Sequence, residues 1–147
     1  SFAGNSYAPP PRRFEAGTPN IAGFVGLGAA INWLNKLDLP KLQAHENTLG
    51  EQLRTGLANI AGLRFIGAAA QRVPVVSFII DGAHATDIAV LLDLEGIAVR
   101  SGQHCAHPLM QRYGVGATVR ASLAFYNTAE EVEQFLAALH KVLGMLR

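Results

Sequence analysis

Val73-Pro74-Val75-Val76-Ser77-Phe78-Ile79-Ile80 is the stretch on which the fold reading turns. It is short, rich in β-branched residues and bounded by punctuating Pro and Gly, so it reads as a strand rather than a turn of helix. Just upstream, Gly62 is followed by a second apolar run, Leu63 to Ile66, which reads the same way. Downstream, Ala85 to Leu94 carries a helical pattern that Glu95-Gly96 ends, since glycine adopts the left-handed angles of a helix stop without strain. Ile97 to Arg100 then reads as a third strand, Ser101 to Pro108 as a loop, Leu109 to Tyr113 as a short helix, and Thr118 to Ala124 (TVRASLA) as a fourth strand. The last helix is expected to start from Thr128 as its cap, with Glu130 and Glu131 in the first turn, where carboxylates complement the helix dipole. Val132, Phe135, Leu139, Val142 and Leu146 would line one side of it.

Working back towards the start, a helix follows Pro40 and runs through Leu42, His45, Leu49, Leu53 and Leu57 to about Ile60. Before it, Val25, Ala29 and Trp33 recur at helical spacing from Ile21 onward. Gly23, Gly26 and Gly28 cost that helix about 1 kcal/mol each relative to Ala, so the helix is predicted to be mostly buried, with its glycines kept for close packing. Residues 1–20 hold three successive prolines, Pro9, Pro10 and Pro11, and read as an extended or looped segment anchored by Phe2, Tyr7 and Phe14. The order helix, helix, strand, strand, helix, strand, loop, strand, helix predicts an α+β fold: a small, largely antiparallel sheet with helices packed on one face. Residues 1–20 would be a loop segment, and residues 21–147 a single domain.

The composition agrees. A chain of 147 residues has room for one domain and not two, standing alone or as part of something larger. Half of it is apolar and 16% is charged, which is enough burial to offset the entropy of ordering. Twelve Lys and Arg against eleven Asp and Glu leave a formal charge of +1. The basic residues are scattered, which gives no footprint for nucleic acid. No apolar run is long enough to span a membrane and no leader is visible, so the expected compartment is the cytoplasm.

Chemistry concentrates in Arg100-Ser101-Gly102-Gln103-His104-Cys105-Ala106-His107-Pro108. The one thiol of the chain stands among an arginine and two histidines, neighbours that favour the nucleophilic thiolate. Two other readings stay open for Cys105: a packed core residue, or a metal ligand beside His104 and His107, although near-adjacent positions on one loop close a tetrahedron poorly. Arg120 lies inside the fourth apolar strand. Its guanidinium keeps its charge, so it needs a carboxylate or phosphate. An internal Asp or Glu would make a structural ion pair, and a ligand carboxylate held bidentately would make a binding site. Thr18, in EAGTPN ahead of the first helix, fits either a phosphate contact or an ordinary helix cap.

Together RRFEAGTPN, RSGQHCAHPLM and VRASLAFYNT resemble, in order and across essentially the whole chain, the C-terminal part of the group II cysteine desulfurases and selenocysteine lyases. These are pyridoxal-phosphate enzymes of the fold-type I aminotransferase superfamily. Gln103 stands where the family often has His. The resemblance implies a reaction in which pyridoxal phosphate labilises substrate L-cysteine, or L-selenocysteine, and a protein thiolate takes the sulfur, leaving alanine and a persulfide that serves iron–sulfur cluster assembly through a sulfur acceptor protein. By position, Cys105 matches the persulfide-bearing nucleophile, Arg120 the clamp on the substrate carboxylate, and Thr18 a contact to the cofactor phosphate of the other subunit of a homodimer. Arg100 and His104 match loop residues at the substrate site. The family keeps its cofactor lysine in a preceding large domain, to which the first helix would link. Of Lys36, Lys41 and Lys141 none is in a matching context, and the His140-Lys141 pair reads as a solvated helix end. The chain is therefore expected to be a truncated piece that alone turns over no substrate and binds no pyridoxal phosphate covalently. The rival expectations are a docking module for a sulfur acceptor and a structural domain with an inert thiol.

Overall fold

A computed structural model describes residues 4, 6–67 and 69–146; Phe2 lies outside them. The chain divides into two compact units, Ser1–Asp38 and Leu39–Arg147.

In the first unit the proline-rich segment contains a single 3-10 turn, Arg12–Phe14, and leads into α1 (Ile21–Leu34). Asn20 caps α1, its side-chain oxygen accepting from the Gly23 amide at 3.0 Å. That corrects one option for Thr18, which precedes the cap and lies exposed in a bend. The cap also accounts for Gly23, because a Cβ there would collide with the Asn20 side chain; Gly26 and Gly28 face open space. The expectation that this helix is mostly buried is not met. No residue of α1 is buried, and Phe24 and Val25 are each 69% exposed. Apolar spacing reports that a helix shuns water; it does not supply the surface that covers it.

The second unit consists of α2 (Leu39–Ala58), β1 (Leu63–Ile66), β2 (Val75–Ile80), α3 (Ala85–Leu94), β3 (Arg100–Gly102), α4 (His107–Tyr113), β4 (Thr118–Ser122) and α5 (Ala129–Leu146). The four strands form one sheet in the order β1-β2-β4-β3, antiparallel at every pairing. Alternation decides which residues face in. Val76, Phe78 and Ile80 of β2 and Val119 and Ala121 of β4 are buried, with Phe78 opposite Val119 and Val76 opposite Ala121. They pack on Leu49, Leu53 and Leu57 of α2, Ile88 and Leu92 of α3, and Val132, Leu139 and Val142 of α5. Each such side chain contributes about 1.5–3 kcal/mol when buried. A one-residue slip of β4 would swap Val119 and Ala121 for Arg120 and Ser122, so the register is strongly specified.

Three strands are bounded differently from the sequence reading, and α4 starts at His107 instead of Leu109. β2 begins at Val75, because Pro74 has no amide to give to a ladder. β3 runs Arg100–Gly102 instead of Ile97–Arg100: the Ile97 amide donates to Leu92 O at 2.9 Å, closing the end of α3 and keeping Ile97–Val99 off the sheet. β4 stops at Ser122, beyond which the Leu123 amide donates to Pro74 O and the Asn127 side chain accepts from the Ala124 amide. The start of α5 agrees with expectation. Thr128 Oγ1 accepts from the Glu131 amide while the Glu131 carboxylate accepts from the Thr128 amide, a reciprocal capping box.

Candidate active site on the open face of the sheet

The strand residues that do not face the helices include Ser77 and Ile79 of β2, Thr118 and Arg120 of β4, and Arg100 of β3. Arg120 is the ladder partner of both Ser77 and Arg100. Directly opposed side chains in an antiparallel pair stand with their Cβ atoms about 4.5–5.5 Å apart, and like charges there are destabilising. Both side chains thus leave the sheet on the same face, Arg100 exposed and Arg120 in the cavity. Arg120 is half-buried, and its Nε is sealed from solvent without a hydrogen-bond partner. Arg72 pairs with Glu51 and Lys141 with Glu95, and among the described residues no carboxylate pairs with Arg120. An uncompensated cation pair of this kind is a site for an anion.

A cavity of about 260 Å³ opens over this spot. Its polar lining is Ser77, His104 and Arg120; Ile66, Leu109, Met110 and Tyr113 make its apolar side. The main helices cover the opposite face of the sheet, whereas the cysteine loop and α4 fold across this one. α4 is set by Ala106, whose carbonyl accepts from the Leu109 and Met110 amides, by Pro108 in its first turn, and by Gly114 in the left-handed region at its end. Met110 of this helix is buried and lines the cavity together with Ser77 and Arg120 of the sheet.

Between β3 and α4 the chain makes one tight turn, closed by the Ala106 amide donating to Gln103 O at 2.9 Å. Both central residues have left-handed angles, His104 with φ 54° and Cys105 with φ 56°. For L-residues with a Cβ this conformation costs about 1–2 kcal/mol each. Strain of this kind persists only where the surrounding structure holds it in place. Cys105 is exposed, which corrects the packed-core alternative, and the residues on either side of it, His104 and Ala106, both line the cavity. Among the described residues no cluster of three or more His, Cys, Asp and Glu could hold a metal ion.

His104 Nε2 lies 2.8 Å from Thr118 Oγ1, and Nδ1 is buried without a partner. Burial pushes the imidazole pKa below its ordinary value. The Arg120 and Arg100 charges push the same way, and the Thr118 interaction opposes them. His104 is therefore a neutral imidazole at pH 7, facing two cations.

Of the expected site residues, His104, Arg120, Arg100 and Cys105 gather around this corner of the sheet. Thr18 belongs to the other unit, exposed after Gly17 with its φ of 84°. Lys141 Nζ donates to both Glu95 carboxylate oxygens, at 2.7 and 2.8 Å, tying α5 to the end of α3. Thr118 and Ser77 were not singled out from the sequence. Both are polar residues alternating with apolar ones in strands, on the same side as Arg120, and that periodicity is the signal that points to them.

A family model described as aminotransferase class-V matches residues 1–135. A probable cysteine desulfurase of Xylella fastidiosa is 56% identical over 146 residues, covering 99% of this chain and 35% of that protein. A cysteine desulfurase of Synechococcus elongatus is 46% identical over 142 residues, covering 97% of this chain and 23% of that protein. Among solved structures, the cysteine desulfurase CsdA of Escherichia coli, in an S-sulfonic acid form, superposes with a TM-score of 0.90 at 37% identity, covering 100% of this chain and 36% of that one. The apo cysteine desulfurase of Thermococcus onnurineus gives 0.87 at 39% identity, covering 99% and 36%. The chain thus spans about a quarter to a third of the length of these relatives.

Proposed function

Since the chain belongs to the aminotransferase class-V family, we propose that it is the C-terminal part of a pyridoxal-phosphate-dependent cysteine desulfurase and contributes the sulfur-accepting thiol and the carboxylate clamp. The observation that carries this reading is Arg120, a cation with a sealed, unpartnered Nε on the floor of a small cavity, with an exposed thiol on a strained turn at the rim. A guanidinium fork matches the carboxylate that every amino-acid substrate carries. Arg100, opposite Arg120 on the ladder, adds a second positive charge, and neutral His104 stands beside both.

The residues of this chain fit the substrate's carboxylate and sulfur better than the cofactor's aldehyde. No lysine lines the cavity, and Lys141 is held by Glu95. Thr18 is the hydroxyl assigned to the cofactor's phosphate. When bound, pyridoxal phosphate supplies the electron sink that weakens the substrate's Cβ–Sγ bond. The work of this chain is to grip the carboxylate through Arg120 and to offer Cys105 Sγ as the sulfur acceptor. In the net step L-cysteine and the Cys105 thiol become alanine and a Cys105 persulfide: the Cβ–S bond breaks, an S–S bond forms, and Cβ gains a proton. No outside oxidant or reductant is needed. The persulfide then passes to a sulfur acceptor protein. L-selenocysteine offers the same bond pattern and is a second substrate of this reading. Homodimerisation and a cytoplasmic setting belong to the same proposal; no helix among the described residues is long and apolar enough to cross a membrane.

The test is alanine formation from L-cysteine. The enzyme containing this chain should release alanine, lose that activity on Cys105→Ser, and bind substrate far more weakly on Arg120→Gln. The 147-residue chain with added pyridoxal phosphate should make none. Sustained alanine from the chain alone, or full activity of the Cys105→Ser enzyme, would overturn the proposed division of labour.

A further inference from the structure

The cysteine turn has a feature that the clamp and nucleophile leave unused. His104 is the first of its two left-handed residues, and its Nε2 reaches across to Thr118 Oγ1 at 2.8 Å. Thr118 is fully buried at the start of β4 and is the ladder partner of Gly102, the last residue of β3. The turn is therefore tied in three places: at Gly102 by the sheet, at Ala106 by the first turn of α4, and between them by this one side-chain bond. Among the described residues Cys105 has no side-chain hydrogen bond, and its thiol is free and exposed. Asn, Asp, His and Gly are the residues enriched at left-handed positions; His104 is of that kind and Cys105 is not. Beside the Ala106–Gln103 backbone bond that closes the turn, the His104–Thr118 contact is the side-chain tie that reaches into it from the sheet.

We propose that His104 is a positioning residue, and that its hydrogen bond to Thr118 is a clasp that keeps the Gln103–Ala106 turn in its left-handed form and so presents the Cys105 thiol at the rim of the Arg120 cavity. The clasp itself follows from the geometry alone; its catalytic consequence rests on the desulfurase reading above. Thr118 serves in the same way, one step removed from the chemistry. Because the clasp orients the acceptor sulfur and not the substrate, its loss lowers kcat and spares KM.

Two removals and one rescue test this. Thr118→Val keeps the buried β-branched shape and deletes the hydroxyl. His104→Asn tolerates the left-handed backbone and is too short to reach Thr118. Thr118→Ser keeps the hydroxyl. Hydrogen exchange at the Ala106 amide, which closes the turn, is read in the 147-residue chain. It should speed up about three- to tenfold in Thr118→Val and His104→Asn, the range expected for one lost hydrogen bond, and stay near wild type in Thr118→Ser. The rate of Cys105 alkylation by iodoacetamide should change in the same two variants and not in the third. In the cofactor-loaded enzyme, kcat for alanine formation should fall in those two with KM unchanged. Unaltered Ala106 exchange in both removals would overturn the clasp. Faster exchange with unaltered kcat would overturn its positioning role. Faster exchange and altered alkylation in a protein whose wild type forms no alanine would uphold the clasp and sink the desulfurase reading instead.

Discussion

Replacing Arg120 with Met should make the protein more stable and less able to bind a carboxylate. Arg120 Nε is a buried donor without an acceptor, a condition that ordinarily costs about 1–3 kcal/mol. Its ladder partner is Arg100, and opposed like charges add about 0.2–1 kcal/mol. The side chain is half-buried, so solvent screens part of this, and the low end applies: a gain of about 1 kcal/mol on removing the charge while keeping an apolar stem of similar length. For a chain of this size that is roughly 2–4 °C in Tm. Wild type should in turn be stabilised by a small amino acid such as L-alanine, by about 1.4 kcal/mol at ten times its Kd, and Arg120→Met should not respond at all. Thermal denaturation at low salt, with and without L-alanine, reads both effects. A loss of more than about 1 kcal/mol in Arg120→Met would mean that the guanidinium holds the fold together, and the ligand-clamp reasoning would fall.

Lys141→Ala should change stability by less than about 1 kcal/mol, because its partner Glu95 is met near the surface, and should leave alanine formation unaltered; a tenfold loss of activity would put Lys141 in the chemistry. Thr128→Ala removes one half of the capping box and should cost about 1 kcal/mol in chemical denaturation, with an unchanged midpoint counting against the cap. His104 should give a pH signature. Its folded pKa lies below the ordinary histidine value, so the unfolded chain takes up the proton first, and stability is full above about 6.5 and falls as pH drops through the folded pKa. Urea midpoints between pH 7 and 5 should decline more steeply for wild type than for His104→Gln, and parallel curves would show that this imidazole is not the group responsible.

Much of the second unit was legible because local and global demands agree there. VPVVSFII is short and rich in β-branched residues and TVRASLA alternates polar with apolar ones, and the two-residue period of a strand buries Val76, Phe78, Val119 and Ala121 against the helices. Thr128 with Glu131 is a cap whose chemistry is complete within four residues. The misplaced strand at Ile97 shows the limit. Its residues favour a strand, but the hydrogen bond from Ile97 to Leu92 O is a competing use of the same backbone, and nothing in the local composition reveals which use prevails. α1 is a limit of another kind, since its apolar faces state a need for cover and leave the covering surface unnamed.

The amino-acid sequence by itself determined the chemistry available: one thiol, an arginine amid apolar strand residues, a loop dense in cationic and imidazole groups, and the periodicities that make an α+β domain. Only the tertiary structure decided that Arg100 and Arg120 oppose each other across two strands, that no carboxylate among the described residues comes to meet them, and that Thr118 holds His104. The physical reason is that patterning is a property of neighbours along the chain, whereas an unpaired charge, a buried orphan nitrogen and a strained turn are properties of groups brought together from distant positions. Which of them go unsatisfied is settled by sheet register, and register is fixed by the burial of the opposite face.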